Sequence, residues 1–126
     1  MIRILKVIAI AGSIIKPKIE RRIKMSTIKI TNQNFEQQVI KASKPVLLDF
    51  YANWCYPCKM VSPLVEDIAE ENPQYIVGKI NVDEEGELAQ RFGVNSIPTL
   101  VVVKDGKVVQ AAVGARAKED ILKMLR

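Results

Sequence analysis

The stretch Val46-Leu47-Leu48-Asp49-Phe50-Tyr51-Ala52-Asn53-Trp54-Cys55-Tyr56-Pro57-Cys58-Lys59-Met60 decides how the chain is read. Val46–Tyr51 is apolar at odd and even positions alike, the pattern of a central strand buried by helices on both faces. One carboxylate, Asp49, interrupts it. Cys55 stands where a helix begins, and Pro57 fits that helix's first turn, where a missing N–H is tolerated. The helical signal runs to about residue 71. Met60, Leu64 and Ile68 are expected on its apolar stripe, and Pro63 is expected to kink it.

Strand and helix signals alternate on either side. Residues 27–30 read as a short strand. Asn34-Phe35-Glu36-Gln37 offers Asn34 as an N-cap with Gln at N3, for a helix to about residue 42 that Lys44-Pro45 stops. Residues 75–82 read as a strand and 87–92 as a short helix closed by Gly93. Two strands, Thr99–Lys104 and Lys107–Val113, flank the hairpin signal Asp105-Gly106. Residues 117–125 form a closing helix with Ile121 and Leu125 inward. Ala117 offers it no side-chain cap, a deficit of about 1 kcal/mol against Ser or Thr. Parallel strands need helical crossovers, and the terminal hairpin adds antiparallel pairing. The class is therefore α/β, with a mixed central sheet of about five strands flanked by about four helices.

A chain of 126 residues allows one domain. Its formal charge of +5 is concentrated at one end. Residues 1–24 hold seven basic residues against Glu20 alone, whereas residues 25–126 hold 12 basic and 13 acidic ones. No phosphate-neutralising groove, and so no nucleic-acid partner, is expected on that nearly neutral body. The 1–24 segment is read as a basic, apolar extension, disordered or absent from the mature protein, with a natural start at Met25-Ser26-Thr27. Its apolar part, 2–15, is shorter than the ~20 residues of a membrane span. A weak anchor with a basic flank, or an export signal, are the other readings of it. Membrane contact is expected only if that extension is retained.

With 0 histidines, Ser-His-Asp and Cys-His catalysis are excluded. Cys55 and Cys58 are the only cysteines, spaced C-x-x-C. A structural disulfide across so short a loop would contribute roughly 2 kcal/mol. A zinc site needs about four ligands, and the chain has no second Cys pair. Redox chemistry is the third reading. At a helix N-terminus the unpaired N–H groups and the helix dipole favour a thiolate. Cys55 is then the exposed nucleophile, and Cys58, one turn deeper, the buried resolving thiol. Asp49 is expected to be buried with raised proton affinity, and is the obvious acceptor for the Cys58 proton.

The stretch from Asp49 to Met60 resembles the active-site stretch of the thioredoxin family. The likeness covers residues 27–126. It takes in Pro63, Val82-Asp83, Phe92-Gly93-Val94, Ile97-Pro98-Thr99, Asp105-Gly106 and Val113-Gly114-Ala115. It implies the thioredoxin fold for residues 25–126 and a protein-disulfide reductase and electron carrier. Disulfide-containing proteins are the implied substrates and a thioredoxin reductase the electron donor. A cytoplasmic monomer is expected, with no metal and no cofactor.

The resemblance further implies a cis Ile97–Pro98 bond beside the cysteines. It gives Asp49 the proton-accepting role, through water. It sets Lys79 beside Asp49 to tune it, although a solvent-facing Lys79 fits the strand pattern too. Trp54, Pro57, Ile97, Val113, Gly114 and Ala115 are expected to form a flat apolar docking surface around Cys55. Tyr56 departs from the family, which most often has Gly there. It adds to that surface and bears on the reduction potential. The other readings are a disulfide oxidase or isomerase of the same fold, and a noncatalytic interaction module.

Overall fold

The computed structural model describes residues 27–126. The expectations for residues 1–24 lie outside them. In chain order the elements are β1 (Ile28–Lys29), a π-helical turn (Glu36–Ile40), β2 (Val46–Tyr51) and α1 (Tyr56–Glu71). Then come β3 (Ile76–Asn81), α2 (Gly86–Arg91), β4 (Thr99–Lys104), β5 (Lys107–Val113) and α3 (Lys118–Leu125). The five strands form one sheet in the order β1-β3-β2-β4-β5. The β1–β3 and β2–β3 pairs are parallel, and β2–β4 and β4–β5 are antiparallel. This is the mixed sheet expected from the element order.

β2 is central and buried on both faces, and its alternation sorts the core. Val46, Leu48 and Phe50 join Ile30, Phe35, Val39 and Leu88 on one side. Leu47 points the other way, to Val61, Val65 and Ile68 of α1 and Ile121 and Leu125 of α3. Asp49 has the parity of Leu47, so its carboxyl lies under α1. The β4–β5 hairpin turns at Asp105 (φ 51°) and Gly106 (φ 76°), the two left-handed residues of a type I′ turn.

Two local expectations are corrected. The apolar stripe of α1 is Cys58, Val61, Val65, Ile68 and Ala69. Met60 is 57% exposed and Leu64 only half-buried. Met60, Leu64 and Ile68 do follow helical spacing, but a Cys58-anchored face runs through Val61 and Val65 instead. The helix starting near Asn34 is a π-helical turn with Phe35 at its N-cap and no side-chain cap there. Asn34 is held by Thr31: the Thr31 N–H donates to Asn34 Oδ1 (2.8 Å) and the Asn34 N–H to Thr31 Oγ1 (3.3 Å). That reciprocal pair is a capping box begun three residues earlier. Pro63 lies inside α1, which continues through it as one 16-residue helix. Ala117 is the N-cap of α3 and provides no side-chain hydrogen bond, as expected.

Candidate active site

The β2–α1 junction places both cysteines. Cys55 is the N-cap of α1, in extended conformation, and its sulfur accepts the Cys58 N–H at 3.2 Å. Pro57 occupies the first turn. The two sulfurs are joined as a disulfide, with 5.3 Å between the Cα atoms. The helix-start reading puts Cys55 in the open and Cys58 inside. In the disulfide they are buried alike, at 4% and 3% exposure. The reason is packing: both sulfurs nest with Ala52 against Tyr51, Val82 and Ile97.

Ile97–Pro98 is a cis bond, as the resemblance implied, and Pro98 is buried. The Ile97 carbonyl oxygen lies 3.8 Å from Cys55 Sγ. Thr99 Oγ1 donates to the Ser96 carbonyl (2.6 Å), and the Gly114 N–H donates to the Pro98 carbonyl (2.8 Å). The first bond closes the proline loop on itself, and the second ties the end of β5 to it. Gly114 has φ +97°, a conformation that side chains rarely adopt. Around the disulfide, Trp54, Tyr56 and Val113 are 69%, 71% and 59% exposed, with Pro57 and Ala115 exposed beside them. Trp54 is oriented by its indole N–H, which donates to Asp83 Oδ2 at 2.8 Å. Asp83 lies 29 residues from Trp54, and no sequence spacing pairs the two.

Asp49 is 1% exposed, and neither carboxyl oxygen has a hydrogen-bond partner among the described residues. Burial is the main cause that raises its pKa from 3.8 to about 6. The Lys79 charge opposes that rise and the Glu66 charge adds to it. A cavity of about 290 Å³ reaches from Asp49 to Cys58 and is also lined by Ser62 and Lys79. Lys79 is half-buried, not solvent-facing. Its ammonium donates to Ser62 Oγ (2.7 Å), lies 3.8 Å from Glu66 Oε2 and sits 4.9 Å above the Tyr51 ring. Ser62, Glu66 and Tyr51 thus join the site around Lys79. Helical spacing could have found Ser62 and Glu66, which follow Cys58 at successive four-residue steps. No helix of the described residues is long and apolar enough to cross a membrane.

The Thioredoxin family model matches residues 26–126. A thioredoxin from Mycobacterium tuberculosis is 48% identical over 103 residues, covering 81% of this chain and 89% of that protein. Thioredoxin 1 of Synechococcus elongatus is 44% identical over 97 residues, covering 76% and 91%. The bifunctional thioredoxin reductase/thioredoxin of Mycobacterium leprae is 45% identical over 100 residues, which is 79% of this chain and 22% of that longer protein. Match, sheet order and the cysteine pair at the head of α1 agree, and the chain belongs to the thioredoxin family of thiol–disulfide oxidoreductases.

Proposed function

We propose that Cys55 is the nucleophile, Cys58 the resolving thiol and Asp49 the acceptor of the Cys58 proton in the reduction of protein disulfides. The observation that carries this reading is the unpaired, buried Asp49 sharing one cavity with Cys58. In the reduced protein the Cys58 N–H and the start of α1 stabilise a Cys55 thiolate. That thiolate attacks one sulfur of the substrate disulfide. A Cys55–substrate bond forms, and the other substrate sulfur leaves as a thiolate. Asp49 takes the Cys58 proton, and a cavity of about 290 Å³ has room for water to relay it. The Cys58 thiolate attacks Cys55 Sγ, releases the second substrate sulfur and leaves the Cys55–Cys58 disulfide. Two electrons have passed to the substrate, and its sulfurs take up two protons.

Substrates dock on Trp54, Tyr56, Pro57, Val113 and Ala115, with Ile97 and Pro98 beside the sulfurs. Gly114 leaves room for a partner backbone. Lys79 tunes Asp49. The re-reducing partner is a thioredoxin reductase, a pairing supported by the fused relative named above. The functional unit is residues 25–126, which the family match covers from residue 26. Its working place is the cytoplasm, where thiols are kept reduced. Insulin-disulfide reduction with dithiothreitol tests the reading. The protein should accelerate precipitation strongly, Cys55→Ser should abolish that, and reduced Cys58→Ser, freed of dithiothreitol and then mixed with insulin, should accumulate a covalent mixed disulfide visible by mass. No acceleration over dithiothreitol alone, or trapping by Cys55→Ser instead, would overturn it.

A further inference from the structure

Asp49 and Lys79 are directly opposed in the β2–β3 register. Opposite charges facing each other across neighbouring strands ordinarily interact. Here the carboxylate is left unpaired, because the ammonium is held elsewhere. Ser62 Oγ accepts from it at 2.7 Å, Glu66 Oε2 lies at 3.8 Å, and the Tyr51 ring lies beneath it at 4.9 Å. Thr27 Oγ1 in turn donates to both oxygens of Glu66 (3.2 and 3.4 Å), which fixes that carboxylate. Ser62 stands one turn after Cys58 on α1, so the helix that supplies the resolving thiol also supplies the hydroxyl that holds the lysine.

We propose that Ser62 is a positioning residue: with Glu66 behind it, its hydroxyl keeps the Lys79 ammonium off Asp49 and so leaves Asp49 an unpaired base. The inference rests on the proton role assigned to Asp49 above. The charged or titratable groups that face Asp49 are Tyr51 from β2, Lys79 from β3, and Cys58, Lys59 and Glu66 from α1. From β4 the register partner is Leu100, which carries no charge. Lys79 is therefore the cation whose position the β3 register ties to Asp49. Without the Ser62 hydroxyl the ammonium keeps Glu66 Oε2 at 3.8 Å, and the buried oxygens of Asp49, its register partner, stand without any partner to compete for it. A cation within ~4–6 Å lowers a carboxylate pKa by about 1–3.

The test follows the Asp49 carboxyl carbon by NMR through a pH titration of the oxidised full-length chain, uniformly labelled at aspartate with ¹³C. In Ser62→Ala the Asp49 midpoint should fall by about one pH unit or more. Ser62→Thr, which keeps the hydroxyl, should titrate like the parent. The pH profile of mixed-disulfide resolution in Ser62→Ala should shift toward acid by the same amount. An unmoved midpoint in Ser62→Ala, or a Ser62→Thr midpoint moved as far, would overturn the positioning role. A moved midpoint with an unmoved resolution profile would uphold the Ser62–Lys79 placement and overturn the proton role of Asp49 instead. Because Ala is a good helix former at this half-buried position, the variant should fold.

Discussion

Replacing Asp49 by Asn should stabilise the protein in neutral solution and lose that advantage in acid. Folded Asp49 holds its proton up to about pH 6, whereas the ordinary value is 3.8. Between those values the folded chain binds a proton the unfolded chain has released, so stability falls as pH rises through that window. At about 1.4 kcal/mol per pH unit, the charged, buried carboxylate costs the fold about 3 kcal/mol above pH 6. Asn cannot ionise. Its amide has packing costs of its own, but they do not change with pH and drop out of the comparison. The assay is urea unfolding of the oxidised wild type and Asp49→Asn at pH 3.5 and pH 7.5. The stability difference should move by about 3 kcal/mol in favour of the variant between the two pH values. With urea slopes of about 1–3 kcal/mol per molar, that is a relative midpoint shift of about 1–3 M. A difference that stays constant with pH would mean that Asp49 titrates alike in both states. A difference that moves the other way would mean that Lys79 pairs with Asp49 in solution. Either result would refute the reasoning.

Gly78→Ala should destabilise the protein by about 1–3 kcal/mol in the same unfolding assay. A Cβ there would stand 2.6 Å from Ile30 Cγ1 and 3.3 Å from Leu48 Cδ2, both side chains being fully buried. Trp54→Ala should lower kcat/KM for insulin by about tenfold, the usual weight of an aromatic anchor. Because the ring is 69% exposed, the variant's unfolding midpoint should barely change.

The elements legible in the sequence were those whose cause is local. The apolar run of β2, the Asp105-Gly106 turn and the Cys55-x-Pro57 helix start each carry their physics within a few residues, and each is found where expected. The stripe of α1 was not so determined. Helical spacing allows two neighbouring sets, one through Met60 and Leu64 and one through Val61 and Val65. The sheet it packs on chooses between them, and that choice is tertiary. Asp49 was legible because a charge inside an apolar strand must be buried. Its partner's behaviour was not, because the Lys79 ammonium rests on Ser62 and Glu66, set by the α1–β3 packing. The near-equal burial of Cys55 and Cys58 likewise depends on Ile97, brought in from 42 residues away.

Burial acts on this site in two opposed ways, and α1 arranges both. At the helix start, the Cys58 N–H meets a sulfur that must carry charge, so the fold stabilises the charged form. One turn below, the same helix covers Asp49, and the fold destabilises the charged form. A single ion pair with Lys79 would relieve most of that second penalty, and the strand register places the lysine for it. The relief would also strip Asp49 of its basicity, since a carboxylate paired with an ammonium returns toward the ordinary range. An acceptor for a thiol proton near neutral pH works best when its own pKa lies near that pH. The Ser62 hydroxyl therefore does two things at once. It gives the half-buried ammonium a partner, and it denies that ammonium to Asp49. The instability of the buried carboxylate and its competence as a base have one physical cause, and neither can be removed without the other.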